Sequence, residues 1–320
     1  MKDTISPRQA ALFAFASSSA PVITVCAGTS WVWTLLISVG VCLIAWRLFA
    51  LWKRAGADLP SLVLAVCGKT LGAVLLVLAA AFAALVLMRF AAWTDSAFPE
   101  TATKPFVPLV LLAITVWSAW KGSAACVRAV AVVSFLLLAL YAAIFLFALP
   151  DAQPARLLSQ NAVFSPSLSV ALLPLSLIWF AAPGQGRSAR LTVLAVSLLP
   201  LLTSAVCAMI PGSGGSFYVM AETVNVLSVG SRIEPLVSAA LTAGWFAAMC
   251  MPILAAGRIS EALFGKSLPG VLACASFAVP GTLLDFPDAG KIMAIGASIF
   301  CVIFPLGILQ IAVRKKRKKL

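Results

Sequence analysis

The stretch Ser17-Ser18-Ser19-Ala20-Pro21 lies midway along an otherwise apolar run, residues 8–28. Pro21 cannot donate a backbone hydrogen bond and disfavours helix at the residue before it. Two readings are open. In one, the run breaks into two half-helices around Ser17–Ala20, an arrangement tolerated at membrane depth where it lines a cavity and offers exposed helix ends to the amino and carboxyl groups of small solutes. In the other, the helix only kinks, and serine hydroxyls satisfy the freed carbonyls. A matching irregularity occurs further along. Pro166, Pro174 and Pro183 punctuate the apolar run 168–183, with Ser176 just past the middle proline and Trp179 and Phe180 beyond it.

Composition sets the solvent in which these runs are read. Of 320 residues, 62% are hydrophobic and 10% charged, the mean hydropathy is +1.08, and histidine is absent. Soluble chains carry about 25% charged and about 45–50% apolar residues, so an ordinary soluble domain is excluded. Without histidine and with only two tyrosines, most metal-site and general-base chemistry is removed, and neither an enzyme nor a cofactor or metal site is expected. The eight cysteines are Cys26, Cys42, Cys67, Cys126, Cys207, Cys250, Cys274 and Cys301; no C-x-x-C pair occurs, and they read as small packing residues.

A hydrocarbon core of about 30 Å needs roughly 20 apolar residues as helix. Ten runs meet this requirement between turn and charge signals: 8–28, 31–51, 70–93, 105–122, 127–149, 168–183, 190–210, 235–257, 268–284 and 291–313. Continuous apolar runs exclude a barrel, whose strands alternate. The first run lacks a cleavage site followed by a polar mature domain, so it is not read as a secretory signal. The expectation is an all-α membrane protein of ten transmembrane helices in one integral membrane domain, residues 1–320.

The charges test this arrangement. With the amino terminus inside, the inner ends hold Lys2, Arg8, Arg47, Lys53, Arg54, Lys69, Lys121, Arg128, Arg187, Arg190, Arg258, Lys266 and the six cations of 314–319. The outer ends hold only Arg89, Lys104, Arg156, Arg232 and Lys291. This sorting follows the positive-inside rule and places both termini on the cytoplasmic side. The net charge of +13 is therefore a topology signal, and no nucleic-acid partner is expected. The basic tail, 314–320, directly follows an apolar span and reads as an anchor on anionic headgroups of the bilayer.

All 33 charged residues, 23 basic and 10 acidic, fall at span ends or in loops. A proton-coupled carrier relies on an intramembrane carboxylate or histidine, and no such group is available here. A binding site must be made from hydroxyls, unwound backbone and apolar walls. Interruptions in runs 1 and 6 of ten fit a five-plus-five inverted repeat whose two broken helices face one site. Outside, residues 211–234 form the longest loop, with a Gly-rich start and an alternation of Val219, Val224, Leu227 and Val229 with Glu222, Asn225 and Ser228 that predicts an interfacial helix.

These residues carry a family resemblance. Ile5-Ser6-Pro7-Arg8-Gln9, Leu87-Met88-Arg89-Phe90-Ala91, Phe98-Pro99-Glu100-Thr101, Lys121-Gly122 and the series Glu222-Thr223-Val224, Gly230 and Arg232-Ile233-Glu234, followed by Trp245, resemble the B subunits of spore germinant receptors. Those endospore germination permeases belong to the amino acid–polyamine–organocation transporter superfamily. The resemblance implies a leucine-transporter-like fold in the spore inner membrane and binding of a small nutrient, an amino acid, between spans 1, 3, 6 and 8. It also implies a membrane A subunit and a lipoprotein C subunit as partners. Carried over by position, the ligand-binding residues are Ser17, Ser18, Ser19, Ala83, Leu87, Ser176, Trp179, Thr242 and Trp245, with Arg89, Glu222, Arg232 and Glu234 in partner-contacting or structural roles. The sequence departs from the family in span 6, where Ile178-Trp179-Phe180-Ala181 replaces a Pro-Phe-Gly-Glu-like stretch. A germinant-sensing subunit is the leading expectation, a secondary amino-acid transporter of the same fold the alternative, and a scaffold with a degenerate pocket a third reading.

Overall fold

The computed structural model describes residues 6–26, 29–96, 106–159, 166–181, 186–210, 234–282 and 289–317. All regular structure among them is helical. In chain order the main helices are α1 (Pro7–Cys26), α2 (Trp31–Ala55), α3 (Leu59–Cys67), α4 (Lys69–Ser96), α5 (Phe106–Trp120), α6 (Ser123–Ala148) and α7 (Ala155–Ser159). A 3-10 segment follows over Pro166–Trp179, then α8 (Gly186–Met209), α9 (Glu234–Phe264), α10 (Leu268–Ala278) and α11 (Ala289–Ala297). A π-helical stretch, Ser298–Ile303, joins α11 to α12 (Phe304–Arg317). Among the described residues, six helices are long and apolar enough to cross a membrane, and four shorter apolar helices, Phe106–Trp120, Val170–Trp179, Ser197–Met209 and Leu268–Ala278, lie on the four remaining apolar runs of the sequence.

Burial ranks these helices. In α1 and α9 the apolar windows are 67% and 78% buried, against 39–41% in the other long helices, so α1 and α9 form the centre of the bundle. The periphery turns its large side chains outward: Leu43, Trp46, Val132, Phe135 and Phe277 are all more than half exposed, as a lipid-facing surface requires. The two ends of the bundle are identified by contacts between helix termini. At one end, the Lys315 and Lys316 ammonium groups donate to the carbonyls of Val66 and Arg54. At the other, the Gln153 amide donates to the Met209 carbonyl, and the Trp31 indole donates to Leu157.

The structure departs from the sequence reading at two helices and adds two features to it. First, α1 runs through Pro21 as one helix, without the break that one of the two readings expected. The hydroxyls of Ser17 and Ser18 donate to the Ala14 carbonyl, Ser18 also to Phe15, and Ser19 to Ala16. All three serines are buried, and these bonds inside the helix replace an unwound site. Second, the 3-10 segment carries Pro174 in its interior. Proline supplies no amide for an α-helical bond and crowds the carbonyl four residues back, and the segment takes the tighter i to i+3 pattern throughout. Third, α3 was not expected. Asp58 caps it, accepting from the Ser61 amide at 3.2 Å and the Ser61 hydroxyl at 2.7 Å, with Pro60 in its first turn. Fourth, the basic tail is helical as far as Arg317. The loop 211–233, with Glu222 and Arg232, lies outside the described residues; Glu234 opens α9.

Close helix approach depends on small residues, since lipid tails supply no hydrophobic drive between helices. At Gly270 in α10, a Cβ would land on the backbone carbonyl of Ala256 in α9. The Gly270 amide also donates to the Ser260 hydroxyl at 3.1 Å, which itself donates to the Lys266 carbonyl at 2.8 Å. Gly270→Ala is therefore expected to destabilise the protein by about 1–3 kcal/mol, the usual scale of overpacking. Gly40→Ala, where a Cβ meets nothing within 4 Å, is expected to be neutral or stabilising by up to about 1 kcal/mol. Thermal unfolding of the purified protein in detergent checks the pair; equal midpoints for the two variants would contradict the packing account of Gly270.

Candidate ligand passage between α4, the 3-10 segment, α9 and the π-helical stretch

Helical spacing puts Ala79, Phe82, Ala83 and Val86 on one face of α4. Together with Leu173, Ser176 and Trp179 of the 3-10 segment, Met251, Pro252, Ala255 and Ile259 of α9, and Cys301 of the π-helical stretch, they enclose a cavity of about 30 Å³. Its lining is almost wholly apolar. The Ser176 hydroxyl donates to the Met251 sulfur at 2.6 Å. A cavity of this size holds a water or two and no amino acid, so the passage is collapsed here.

Trp179 closes one side of this cavity. Its indole N–H donates to the Phe300 carbonyl at 3.0 Å, and its ring stacks on Phe304, with centroids 6.0 Å apart and planes 12° apart. Phe300 stacks in turn on Phe82 at 5.3 Å. The acceptor is a backbone carbonyl within the π-helical stretch, where the widened pattern departs from the α-helical ladder. Beyond Trp179 lies a second space of about 470 Å³, lined by Gly56, Ala57, Asp58, Pro60 and Ser61 at the α2–α3 turn, Phe180 and Ala181 after the 3-10 segment, and Arg258, Glu261 and Ala262 of α9. Trp179 lines both spaces. The vestibule is half polar, and its Arg258–Glu261 ion pair, 2.6 Å apart, is about half exposed, which keeps its value to about 0–1 kcal/mol.

Of the nine ligand-binding positions named from the sequence, Ala83, Ser176 and Trp179 share the small cavity. Leu87 is buried one turn further along α4. Ser17, Ser18 and Ser19 bond within α1, and Ser19 lies beside Tyr141 at the crossing of α1 and α9, where a Cβ at Gly244 would sit 3.4 Å from the Ser19 hydroxyl and 3.1 Å from the Tyr141 hydroxyl. The Thr242 hydroxyl donates to the Ser238 carbonyl at 2.7 Å. Trp245 is fully buried in an aromatic cluster with Phe90 and Trp93, centroids 5.7 and 6.4 Å away. Arg89 belongs to this cluster, its guanidinium 5.0 Å over the Trp93 ring. Sequence reading missed Phe82, Met251, Pro252, Ala255, Ile259 and Cys301; Pro252 within an apolar run was the one signal available for them. Near the ends of the first and sixth runs, Phe13 meets Phe180 edge-on at 5.3 Å.

No family model matches the chain, and no curated protein matches it. Among solved structures it is similar to Mhp1, a nucleobase-cation-symport-1 family transporter, solved in a closed conformation with bromovinylhydantoin bound. The two are 15% identical, the likeness covers 93% of this chain and 77% of that one, and the TM-score is 0.59. At this identity the likeness establishes the fold alone, an all-α, leucine-transporter-like membrane fold.

Cys301 is buried behind Trp179 and reports on this closure. Trp179→Ala is expected to raise alkylation of Cys301 by a small water-soluble thiol reagent at least about tenfold, measured by peptide mass mapping, with Cys207 unchanged. Trp179→Phe keeps the ring but loses a hydrogen bond worth about 0.5–1.5 kcal/mol, and an intermediate rate is expected. Equal protection of Cys301 in all three proteins would contradict a barrier at Trp179.

Proposed function

We propose that the chain is the nutrient-sensing membrane subunit of a spore germinant receptor, in which binding of a small solute, an amino acid, shifts a conformational equilibrium that partner subunits read. The observation that carries this reading is the uncharged character of the cavity around Ala83, Ser176 and Trp179. Its lining offers a hydroxyl, an indole and apolar walls, and the charged residues of the sequence stand at span ends and in loops. An intramembrane carboxylate or histidine, which a proton-driven carrier would use, is not supplied. The sequence resemblance to germinant receptor B subunits supports the same reading. It assigns as partners a membrane A subunit and a lipoprotein C subunit, with the loop 211–234 and Glu222, Arg232 and Glu234 as the contact region. The location is the spore inner membrane, both termini on the core side, so that the vestibule beside Asp58 and Arg258 opens inward.

A secondary amino-acid transporter is the second reading. The fold likeness to a transporter and a vestibule of about 470 Å³ separated from the cavity by one side chain favour it. The two readings differ in whether solute crosses without partners. Under the sensor reading, Ala83→Leu, which fills the cavity, abolishes the germination response of spores to an amino-acid panel while the subunit remains at normal level in the membrane. Purified alone in proteoliposomes, the wild-type chain shows no saturable uptake of labelled amino acids. An unchanged response in Ala83→Leu spores would remove the cavity from the mechanism, and saturable partner-independent uptake would replace the sensor with the transporter.

A further inference from the structure

Two buried donors lie away from the small cavity with no acceptor. The Nε of Arg89 and the indole N–H of Trp245 are enclosed by protein and make no hydrogen bond among the described residues. Trp245 is 0% exposed. Leaving a buried donor unmade costs its full desolvation, more for a charged group, so two orphans in one cluster require a reason.

They share one aromatic enclosure. The Arg89 guanidinium lies over Trp93, and Trp93 and Phe90 pack against the Trp245 ring. Arg89 stands twenty residues along α4 from Lys69, about 30 Å at the α-helical rise. That places it at the end of the bundle opposite the vestibule. The ring under its guanidinium faces inward, toward Trp245 of α9. A planar guanidinium whose Nε–H is buried and unmade matches a carboxylate, which accepts parallel hydrogen bonds from Nε and one Nη.

We propose that Arg89, seated on Trp93, is a carboxylate-recognition site for small carboxylate-bearing solutes where α4 packs on α9, with the Trp245 N–H as its second, deeper donor. This rests on the solute-binding reading above and adds the chemical group recognised and the side on which it is met. Arg89 then holds the anionic end of the solute at this end of the bundle, one aromatic layer from its interior.

The test uses the intact chain, labelled with nitrogen-15 at its indoles, in nanodiscs of zwitterionic lipid. The Trp245 indole resonance is assigned with Trp245→Phe. Sodium propionate and L-alanine are titrated against their neutral counterparts, propionamide and L-alaninamide. The expected result is a saturable shift of the Trp245 resonance by both carboxylates and by neither amide. Arg89→Gln should weaken the response at least about tenfold, the scale of a lost charge-assisted bond, and Arg89→Lys should retain part of it. Carboxylates and amides acting alike, or Arg89→Gln responding as wild type, would overturn the proposal. So would a Trp245 shift produced by anionic lipid in place of the solutes, since the partner would then be a headgroup. A saturable shift at Trp179 with none at Trp245 would also overturn it, while leaving solute binding in the central cavity standing.

Discussion

At membrane depth no water is available to satisfy a backbone N–H or C=O, so every departure from the α-helical ladder has to be compensated by protein. The arrangement of this molecule follows from where those departures fall. In α1, three serine hydroxyls bond back to their own helix, and a central, enclosed helix carries Pro21 unbroken. Around Pro174 the chain instead takes up 3-10 geometry over 14 residues. At about 2.0 Å per residue, that length covers about 28 Å, nearly the thickness of the hydrocarbon, where an α-helix of equal length would cover about 21 Å. A second departure, the π-helical stretch Ser298–Ile303, supplies the Phe300 carbonyl to which Trp179 donates. The two irregular segments therefore meet at one hydrogen bond, and that bond sits between the small cavity and the vestibule.

This meeting point organises the passage. The small cavity beside Ala83 and Ser176 and the vestibule beside Asp58 and Arg258 adjoin at Trp179, which lines both. Of these two spaces, the vestibule alone is open on the scale of an amino acid. A solute in the centre requires the cavity to expand, and expansion requires the 3-10 segment to move against α4 and the π-helical stretch. At Trp179 the contact is one ring stack on Phe304 and one hydrogen bond to the Phe300 carbonyl, which together are modest. A ligand with differential affinity for the expanded state can therefore shift the population, whether the result is a signal or a transport step.

Much of the fold was legible in the sequence because hydrophobic length and charge sorting are strong signals in a lipid solvent. The helix α3 escaped because nine apolar residues are too few to register as a span, although Asp58, Pro60 and Ser61 carried a helix-start signature. Proline marked residues 166–183 as irregular but did not specify the hydrogen-bond pattern adopted, and the π-helical stretch has no sequence signature. The site was legible in part. Ala83, Ser176 and Trp179, carried over by position from the family resemblance, line one cavity. The contribution of α9 was placed at Thr242 and Trp245, whereas the cavity is lined from Met251 onward. The register at which two helices cross depends on how far the 3-10 segment reaches, and that is a tertiary property. The clustering of Arg89 with Trp245 was hidden for the same reason, since their contact is mediated by Trp93 across two helices.

The central claim is that the chain has two conformations that differ at the Trp179 barrier and are biased by a bound solute. Its most direct test is the distance between the two walls of the vestibule, read by electron–electron double resonance with spin labels on unnatural amino acids at Ala57 and Ala262 in nanodiscs. The expected result is a two-component distance distribution whose ratio changes saturably across an amino-acid panel. A single distribution, identical with and without every solute of the panel, would contradict it.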